Sequence, residues 1–404
     1  MTIPKIVEGA KSKGLDIVGT GDATQPDWLD HLSQNLERHS ECYVHKGIHF
    51  IITTEIEDSE SIHHLILLPD IEASRRLRNA LRRHTSDIDG EWAGRPRVDL
   101  TAESLAEVVQ DVDGLIGPAH AFTPYRSMFR EGRYESLAAC YGSQAKHVHF
   151  LELGLSADST IADHISELHR LTYLTCSDAH SPSPLKLGRE YVRFRMEKPS
   201  FEELRLAILK QDDRGPTLNV GLDPRLGKYY LSFCAGCRRT LIVEDGDKPP
   251  EFDDTNLYLH VASGRETDRL LTAIAARKVT CPACGKHLRL GVRDRALMIG
   301  GASTTGPDDR PPYLHMPPLL ELIAVAFGIK SRNAKTVRTA YERLVSSLGT
   351  ESTILTEVDC NEVSALYPKV GKMVEAYRCG RVAYQPGGGG RYGEVVRIPG
   401  LSER

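Results

Sequence analysis

The chain has 404 residues, with 51 lysines and arginines against 55 aspartates and glutamates, and a formal net charge of -4. This length suffices for two or three domains. The balanced charge excludes a chain that is polybasic throughout, so an anionic partner must meet a local basic patch. No apolar stretch is long enough to span a bilayer, and residues 1–14 lack the apolar core of a signal peptide. Four of the nine cysteines form CxxC pairs, which indicates metal-bound thiolates in a reducing compartment, so we expect a cytoplasmic protein.

Residues 1–215 alternate short apolar runs with helical patterns. The predicted strands are residues 15–22, 49–58, 63–70, 114–122, 147–158 and 171–180, and the predicted helices are residues 74–84, 101–112 and 200–210. The sequence TAES at residues 101–104 is typical of a helix start. Strand–helix alternation of this length predicts an α/β fold with a parallel, barrel-like sheet.

Two further regions follow. Residues 216–300 contain CAGC at 234–237 and CPAC at 281–284, with an insertion between them. Residues 301–404 begin with a linker rich in glycine and proline (301–318), continue with two helical patterns (318–328 and 335–348) and end with a glycine-rich tail that leads into a strand (386–398). We therefore expect three domains with boundaries near residues 215 and 300.

Carboxylates and histidines lie at the ends of all six predicted strands. They are Asp22, Glu55, His63, His64, His120, Glu152, Asp178 and His180. In parallel α/β architectures, active sites collect at the carboxyl ends of the strands. Carboxylates and imidazoles are the ligands of divalent zinc, manganese or iron, which polarise phosphoryl oxygens and acidify bound water. The pattern is consistent with in-line attack on a phosphoester.

Each of these residues also has a structural interpretation. A single Asp or His at the end of a strand is often a helix cap or part of a turn. His63 and His64 cannot share one face of a strand, so at least one of them is structural. Glu152 could instead be the partner of a buried ion pair.

The cysteine pairs are the most specific motif. Thiolates at positions i and i+3 can bind one ion from a tight turn, and two such pairs complete a tetrahedral zinc site. Cys234, Cys237, Cys281 and Cys284 are therefore predicted to bind one structural zinc ion, which stabilises a small domain without catalysing a reaction. The alternatives are a redox pair or unrelated cysteines.

A basic cluster lies beside the second predicted helix of the third region. Lys330, Arg332, Lys335 and Arg338 could bind DNA phosphates there. The alternative is a solvated helix face.

Four segments resemble the polymerase-and-histidinol-phosphatase (PHP) domain, and most closely the endonuclease Q family. They are GLDIVGTGD (14–22), GPAHAFTP (117–124), ELGLSAD (152–158) and SDAHSPSPLKLGRE (177–190), and the resemblance continues through the cysteine pairs into the tail. It implies a distorted (β/α)7 barrel, a zinc-binding domain and a C-terminal helical domain. It also implies a metal-dependent DNA repair endonuclease that cleaves on the 5′ side of uracil, hypoxanthine, xanthine or an abasic site.

The resemblance also implies roles for particular residues. It places Glu55, His64, His120, Asp178 and His180 at ligand positions for a cluster of zinc, manganese or magnesium ions, and Asp22 at the position of a family acid. Asp178 and Arg189 are the predicted catalytic residues, with Arg189 neutralising the phosphate or, alternatively, pairing with a neighbouring acid. Phe122 and Tyr125 are candidates for stacking on a base. Replication or repair factors are candidate partners.

The sequence departs from the PHP pattern at its beginning, because no segment corresponds to the first strand and its His-x-His pair. One interpretation is that the start of translation lies further upstream. The other is that the first strand is missing, which would remove at least two metal ligands. We expect the first, because the downstream motifs are intact.

Two rival functions remain. A PHP phosphatase of small phosphomonoesters would share the metal ligands but would need neither the cysteine pairs nor the basic cluster. A catalytically impaired protein that binds damaged DNA would keep both.

Overall fold

The computed structural model describes residues 1–39, 41–301 and 305–396. Among these residues, no helix is both long and apolar enough to cross a membrane. Residues 302–304 of the predicted linker and 397–404 of the predicted tail region lie outside the described part.

The first part of the chain is a mixed α/β structure. Its helices are α1 (Ile3–Lys13), α2 (Pro26–Asn35), α3 (Ile71–Leu81), α4 (Ala102–Gln110), α5 (Leu137–Tyr141), α6 (Ser159–Ala162) and α7 (Phe201–Leu209), with 3-10 turns at Arg82–His84, Gly142–His147 and Ser166–Arg170. Its strands are β1 (Ile17–Gly19), β2 (Glu37–His39), β3 (Cys42–His45), β4 (Ile48–Glu57), β5 (His63–Leu68), β6 (Leu115–Pro118), β7 (Phe150–Glu152), β8 (Thr172–Leu174), β9 (Tyr191–Arg195) and β10 (Gly215–Gly221). Each of the six predicted strands is present; β4 has the predicted length, shifted by one residue, and the other five are shorter than predicted.

The strand directions differ from the expected parallel sheet. β1 runs parallel to β4, and β7 runs parallel to β8, but the pairs β3–β4, β4–β5 and β5–β6 are antiparallel. The cause is local, because only residues 58–62 separate β4 from β5 and a parallel crossover needs about a dozen residues or more. β4 and β5 therefore form a hairpin, which brings the start of β5 beside the end of β4.

The cysteine-containing part has its own sheet and core. Its elements are β11 (Phe233–Cys234), β12 (Thr240–Asp245), β13 (Glu251–Phe252), β14 (Asn256–Val261), α8 (Gly264–Ala275), β15 (Leu288–Arg289) and α9 (Val292–Gly300), after a 3-10 turn at Pro224–Leu226. The strand order is β13–β14–β12–β11–β15. Val292 and Ala296 of α9 pack into the hydrophobic core of the first part, which attaches this module to it.

The C-terminal part is mainly helical. Its elements are β16 (Tyr313–His315), α10 (Leu319–Phe327), α11 (Lys335–Leu348), α12 (Glu351–Thr356), α13 (Cys360–Leu366), α14 (Pro368–Arg378), β17 (Ala383–Gln385) and β18 (Glu394–Val396). β16 lies within the predicted linker and pairs with β10, so this part also joins the first. The glycine-rich tail lies against the cysteine module. At Gly389 (φ 62°) an added Cβ would meet the carbonyl oxygen of Arg238 at 1.8 Å, so only glycine fits there.

Candidate functional site

Glu55, His63 and His120 bring three potential metal ligands together. Their ligand atoms all lie within 4.8 Å of one another. His63 Nδ1 lies 3.0 Å from Glu55 Oε1 and 3.1 Å from His120 Nε2, and His120 Nε2 lies 3.7 Å from Glu55 Oε2. A carboxylate and two imidazole nitrogens suit a divalent transition metal. We call these three residues the metal group.

The hairpin explains how the metal group forms. Glu57 lies directly opposite His63 in the antiparallel pair, and Glu55 precedes Glu57 by two residues. Directly opposite residues share a face, as do residues two apart in a strand, so all three side chains lie on one face. His120 follows β6, the antiparallel neighbour of β5, and joins from the next strand.

His64, which the resemblance places at a ligand position, lies outside the metal group. It points to the opposite face from His63 and is fully buried. Its Nδ1 lies 2.7 Å from the hydroxyl of Tyr141 and its Nε2 lies 3.1 Å from Asp58 Oδ2. Both ring nitrogens of His64 therefore have protein partners, whereas His63 is the histidine of β5 that lies beside Glu55 and His120.

A second set of polar contacts orients the metal group. His63 Nε2 lies 3.2 Å from Glu57 Oε2, and Thr123 Oγ1 lies 3.1 Å from His120 Nδ1. Arg95 Nη1 donates to Glu55 Oε1 at 3.3 Å. Such contacts fix the orientation of ligand side chains in metal sites. The sequence pattern does not single out Glu57, the last residue of β4, or Arg95, which lies in the connection between the 3-10 turn at Arg82–His84 and α4.

The electrostatics keep these side chains in the state that binds a cation. Burial raises the pKa of Glu55, but the hydrogen bond from His63 and the charges of His120, His63 and Arg95 outweigh it and lower the pKa to about 2. Burial lowers the pKa of His120, although the charge of Glu55 opposes this effect. An ionised carboxylate and a neutral imidazole are the forms that coordinate metals.

Glu152 lies beneath the metal group. It is buried, and its Oε2 accepts a hydrogen bond from the His120 amide at 2.9 Å. Burial raises the pKa of Glu152 well above its usual value, and the charges of Asp178 and Glu55 raise it further. Glu152 therefore positions the His120 backbone, which differs from the ion-pair role considered from the sequence.

Asp22, Asp178 and His180 surround the metal group without joining it. Asp178 Oδ1 lies 3.3 Å from His180 Nε2, and both side chains are exposed. Burial raises the pKa of Asp22, with the charge of Glu55 as the next cause, while His180 lowers it. Asp22 and His180 therefore lie within electrostatic range of one another and of the metal group.

Three of the strand-end residues have an unusual backbone. Asp22, His120 and Asp178 have φ angles of 48°, 31° and 44°. Side-chain-bearing residues rarely adopt this left-handed region, and such strain clusters at functional sites. The turns at these three positions are thus held by the surrounding fold.

Arg189 is buried, and its Nε donates to the carbonyl oxygen of Ser177 at 3.0 Å. It therefore supports the backbone beside Asp178. This placement differs from the phosphate contact expected from the sequence. Phe122, a stacking candidate, is also buried and packs against Phe129 with ring centroids 5.2 Å apart.

The four cysteines of the CxxC pairs form a second metal-binding arrangement. Their sulfurs lie within 4.8 Å of one another, with Cys234 and Cys284 3.4 Å apart and Cys237 and Cys281 3.8 Å apart. Sulfurs bound tetrahedrally to zinc at about 2.3 Å lie about 3.8 Å from each other, so the cluster fits a structural zinc site. Burial raises the pKa of Cys237, but hydrogen bonds from Arg239 outweigh it and lower the pKa to about 6.

The basic cluster lies between α10 and the start of α11. Lys330, Lys335 and Arg338 are exposed, whereas Arg332 is partly buried and donates to Glu321 Oε1 at 2.9 Å. Lys335 and Arg338 are three residues apart in the first turn of α11, where no acidic side chain lies and no side chain caps the helix. Cations at a helix N-terminus oppose the helix dipole, so this turn favours an added anion.

Comparisons with known proteins identify relatives along the whole chain. Residues 318–381 match the family described as the MJ0043 C-terminal domain. The uncharacterized protein MJ0043 of Methanocaldococcus jannaschii is 32% identical over 285 residues, which cover 69% of this chain but only 32% of that protein. The chain thus spans about a third of the length of this relative.

Two solved structures match the entire chain at 38% identity. One is the lesion-specific endonuclease PfuEndoQ from Pyrococcus furiosus, with a TM-score of 0.83 and 92% of that chain covered. The other is endonuclease Q in complex with a 27-mer duplex substrate that has an abasic lesion at the active site, with a TM-score of 0.86 and 94% covered. With this identity over this length and the shared fold, the chain belongs to the endonuclease Q family.

Proposed function

We propose that the protein is a metal-dependent DNA repair endonuclease that cleaves the phosphodiester on the 5′ side of a deaminated base or an abasic site. The deaminated bases are uracil, hypoxanthine and xanthine. The observation that carries the proposal is the metal group of Glu55, His63 and His120 within a chain that matches a lesion-specific endonuclease along its whole length.

The proposal assigns a separate role to each of three parts of the chain. Residues 1–215 are a distorted (β/α)7 catalytic barrel, residues 216–300 are a zinc-binding domain, and residues 301–404 are a helical DNA-binding region. Three hydrophobic cores support a division into three parts, although Val292 and Ala296 belong to the first core and Val220, Leu222 and Leu226 to the C-terminal core.

The catalytic ions in this proposal are zinc, manganese or magnesium. The metal group would hold them, with Asp22, Asp178 and His180 as further ligands from the surrounding turns. Divalent ions polarise phosphoryl oxygens and acidify water in such sites. The clustering of an ionised carboxylate with two imidazole nitrogens supports their binding here.

The residues of this chain have defined tasks in the reaction. Glu57 and Arg95 orient His63 and Glu55, and Arg189 holds the backbone beside Asp178. A water molecule adds to the phosphorus, one phosphorus–oxygen ester bond breaks, and a proton passes to the departing oxygen. Asp178, exposed beside the metal group, is the proposed carboxylate for aligning the water.

Selection of the lesion follows from the cost of unstacking. The damaged nucleotide leaves the duplex at a cost of a few kcal/mol, which is smallest for mispaired or abasic positions. Lys335 and Arg338 in the first turn of α11, with Lys330 and Arg332 in the connection before it, are proposed to bind backbone phosphates. The absence of acidic side chains from this turn supports that role.

A nicking assay tests the function. Wild-type protein, Glu55→Gln and Glu91→Gln are incubated with 5′-labelled duplexes containing deoxyuridine, deoxyinosine or an abasic site, with Mg²⁺, Mn²⁺ or Zn²⁺. We expect wild type and the exposed control Glu91→Gln to cleave 5′ to the lesion, and Glu55→Gln to lose at least about a hundredfold in rate, since it removes an anionic metal ligand.

The other outcomes identify the rival functions. Hydrolysis of p-nitrophenyl phosphate without nicking would indicate a phosphatase. Binding of the damaged duplex without nicking under any ion would indicate a binding protein. Equal nicking by Glu55→Gln would remove the metal group from the mechanism.

A further inference from the structure

A cationic cleft lies between the barrel and the cysteine module. Its volume is about 450 Å³, and the side chains around it include the five arginines Arg126, Arg130, Arg133, Arg277 and Arg289. Glu131 is the one acid among its lining residues. None of these arginines belongs to the basic cluster near α11, so the cleft is a separate positively charged surface.

The arginines of the cleft carry more positive charge than the neighbouring carboxylates neutralise. Arg133 faces Glu60 at 3.4 Å, and Arg277 faces Glu131 at 3.7 Å. Arg289 has no carboxylate within 4.0 Å among the residues that the structure describes. An unpaired guanidinium beside other guanidinium groups favours binding of an anion.

The positive charge of Arg130, in the wall of the cleft, is likewise not balanced by a hydrogen bond to a carboxylate. It is partly buried, and it donates to the carbonyl oxygens of Ser61 at 2.6 Å and Glu60 at 2.7 Å rather than to a carboxylate. Burial lowers the pKa of Arg130, and the charge of Arg133 lowers it further. An anion in the cleft would relieve this repulsion.

Tyr125 provides an aromatic surface in the same cleft. The Arg289 guanidinium lies 5.2 Å from its ring centroid, and the Tyr229 ring meets it edge to face at 5.4 Å. Its hydroxyl accepts a hydrogen bond from Arg238 Nη1 at 3.1 Å. The ring is thus held in place by residues of the cysteine module, and it orients Arg289.

The cleft is adjacent to the metal group. The His63 amide donates to the carbonyl oxygen of Arg126 at 2.9 Å, and the side chains of both residues contact the carboxylate of Glu57. Arg126 of the cleft wall is therefore in direct contact with a residue of the metal group. Ser61, Arg126 and Arg277 have φ angles of 58°, 59° and 56°, so strained backbone lines this cleft as it lines the metal group.

We propose that this cleft binds a backbone phosphate of the same duplex that the metal group engages, with Arg133 and Arg289 as the main contacts. The inference rests on the proposed function, because it takes DNA as the ligand. A polyanion that extends from the metal group past Glu57 reaches the cleft directly. The cysteine module then contributes to the DNA interface through Arg289 and through the placement of Tyr125.

The test measures the salt dependence of DNA binding with Arg133→Gln, Arg289→Gln and the double variant. Arg75→Gln is the matched control, because Arg75 is an exposed arginine of α3 that pairs with Glu72. Fluorescence anisotropy with an undamaged and an abasic duplex is recorded between about 50 and 200 mM salt in the Glu55→Gln background, which prevents cleavage without a chelator that would remove zinc from the cysteine module. We expect the slope of log K against log salt to become shallower by about 0.9 for each lost contact, equally for both duplexes.

Two further measurements separate a lost contact from a misfolded variant. Thermal unfolding should show midpoints close to wild type, since neither arginine is fully buried. Arg289→Lys keeps the charge and loses the planar fork, so it should keep the slope and weaken binding less than Arg289→Gln. Arg75→Gln should match wild type.

The outcomes distinguish this inference from the proposed function. An unchanged slope in the double variant overturns the inference, while nicking by wild type would leave the endonuclease proposal intact. A shallower slope without nicking by wild type supports the cleft and refutes the endonuclease. Failure of wild type to bind either duplex refutes both. If the double variant loses the binding of pyrophosphate in calorimetry but keeps the wild-type slope of log K against log salt for DNA, the cleft is a site for a free anion and the inference is overturned.

Discussion

A buried ion pair connects the barrel to the C-terminal helices. Lys13, the last residue of α1, places its Nζ 2.6 Å from Glu351 Oε1 at the start of α12, and their side chains are 1% and 0% exposed. Lys13 Nζ also donates to the carbonyl oxygen of Pro184 at 3.0 Å, and Glu351 Oε1 accepts the Leu319 amide at 3.0 Å. The pair thus joins α1, the segment after His180 and two C-terminal helices.

The replacement Lys13→Met should destabilise the protein strongly. At 2.6 Å and an effective dielectric constant of about 20, two unit charges attract by about 6 kcal/mol, and desolvation offsets much of this. Removal of one partner nevertheless leaves an unpaired buried charge, which costs about 3–5 kcal/mol. We therefore expect the free energy of unfolding to fall by about 4 kcal/mol.

The double variant Lys13→Met/Glu351→Gln tests the reason for this loss. Glutamine carries no charge and still offers an oxygen to the Leu319 amide, so the double variant should lose less than about 2 kcal/mol. Urea unfolding followed by both fluorescence and circular dichroism measures these differences and reveals any separate transitions. A loss below about 1 kcal/mol in Lys13→Met, or a double variant as unstable as the sum of the single variants, would refute the reasoning.

The remaining predictions concern the metal group, the cysteine cluster and one buried acid. His63→Ala should lose bound metal, measured by mass spectrometry of dialysed protein. His64→Ala should keep the metal and lose about 2–4 kcal/mol of unfolding free energy. The reverse result would support His64 as the metal ligand, as the resemblance implies. Cys281→Ser should lower the zinc content and the unfolding temperature of the cysteine module, whereas Cys379→Ser, at an exposed cysteine outside the cluster, should change neither. Burial raises the pKa of Glu190 from 4.5 to about 8. Because the folded-state pKa lies above the unfolded value, the stabilisation from this group is complete below pH 4.5 and is lost as the pH rises through 8. The unfolding free energy of Glu190→Gln should therefore increase relative to that of wild type as the pH rises from 4.5 to 8, by at most about 5 kcal/mol, as measured by urea unfolding. A difference between variant and wild type that stays constant with pH would contradict the shift in pKa.

The sequence predicts the location of six strands of the first part, because each carries a short apolar run bounded by polar residues, but it does not indicate β2, β3, β9 or β10. It does not predict their directions. The hairpin of β4 and β5 follows from the short connection at residues 58–62, but the expectation of a parallel sheet concealed it. With parallel strands, the residues that open β5 would lie far from the carboxyl end of β4.

The sequence also does not decide whether His63 or His64 lies beside Glu55. Adjacent residues of a strand point to opposite faces, and the sequence does not indicate which face carries Glu55. The left-handed backbone at Asp22, His120 and Asp178 also has no sequence signal, because tertiary contacts impose it on residues that do not prefer it. The cysteine cluster was predictable from spacing alone, since each CxxC turn is local.

The hairpin also has a consequence for the order in which the protein folds. Glu55 and His63 meet across a short loop, and such local contacts close at little entropic cost. Asp178 and His180 join from more than a hundred residues away, so their arrival depends on the completed chain. We expect the two halves of the site to form at different times, with amide exchange near Asp178 remaining fast after the hairpin is protected.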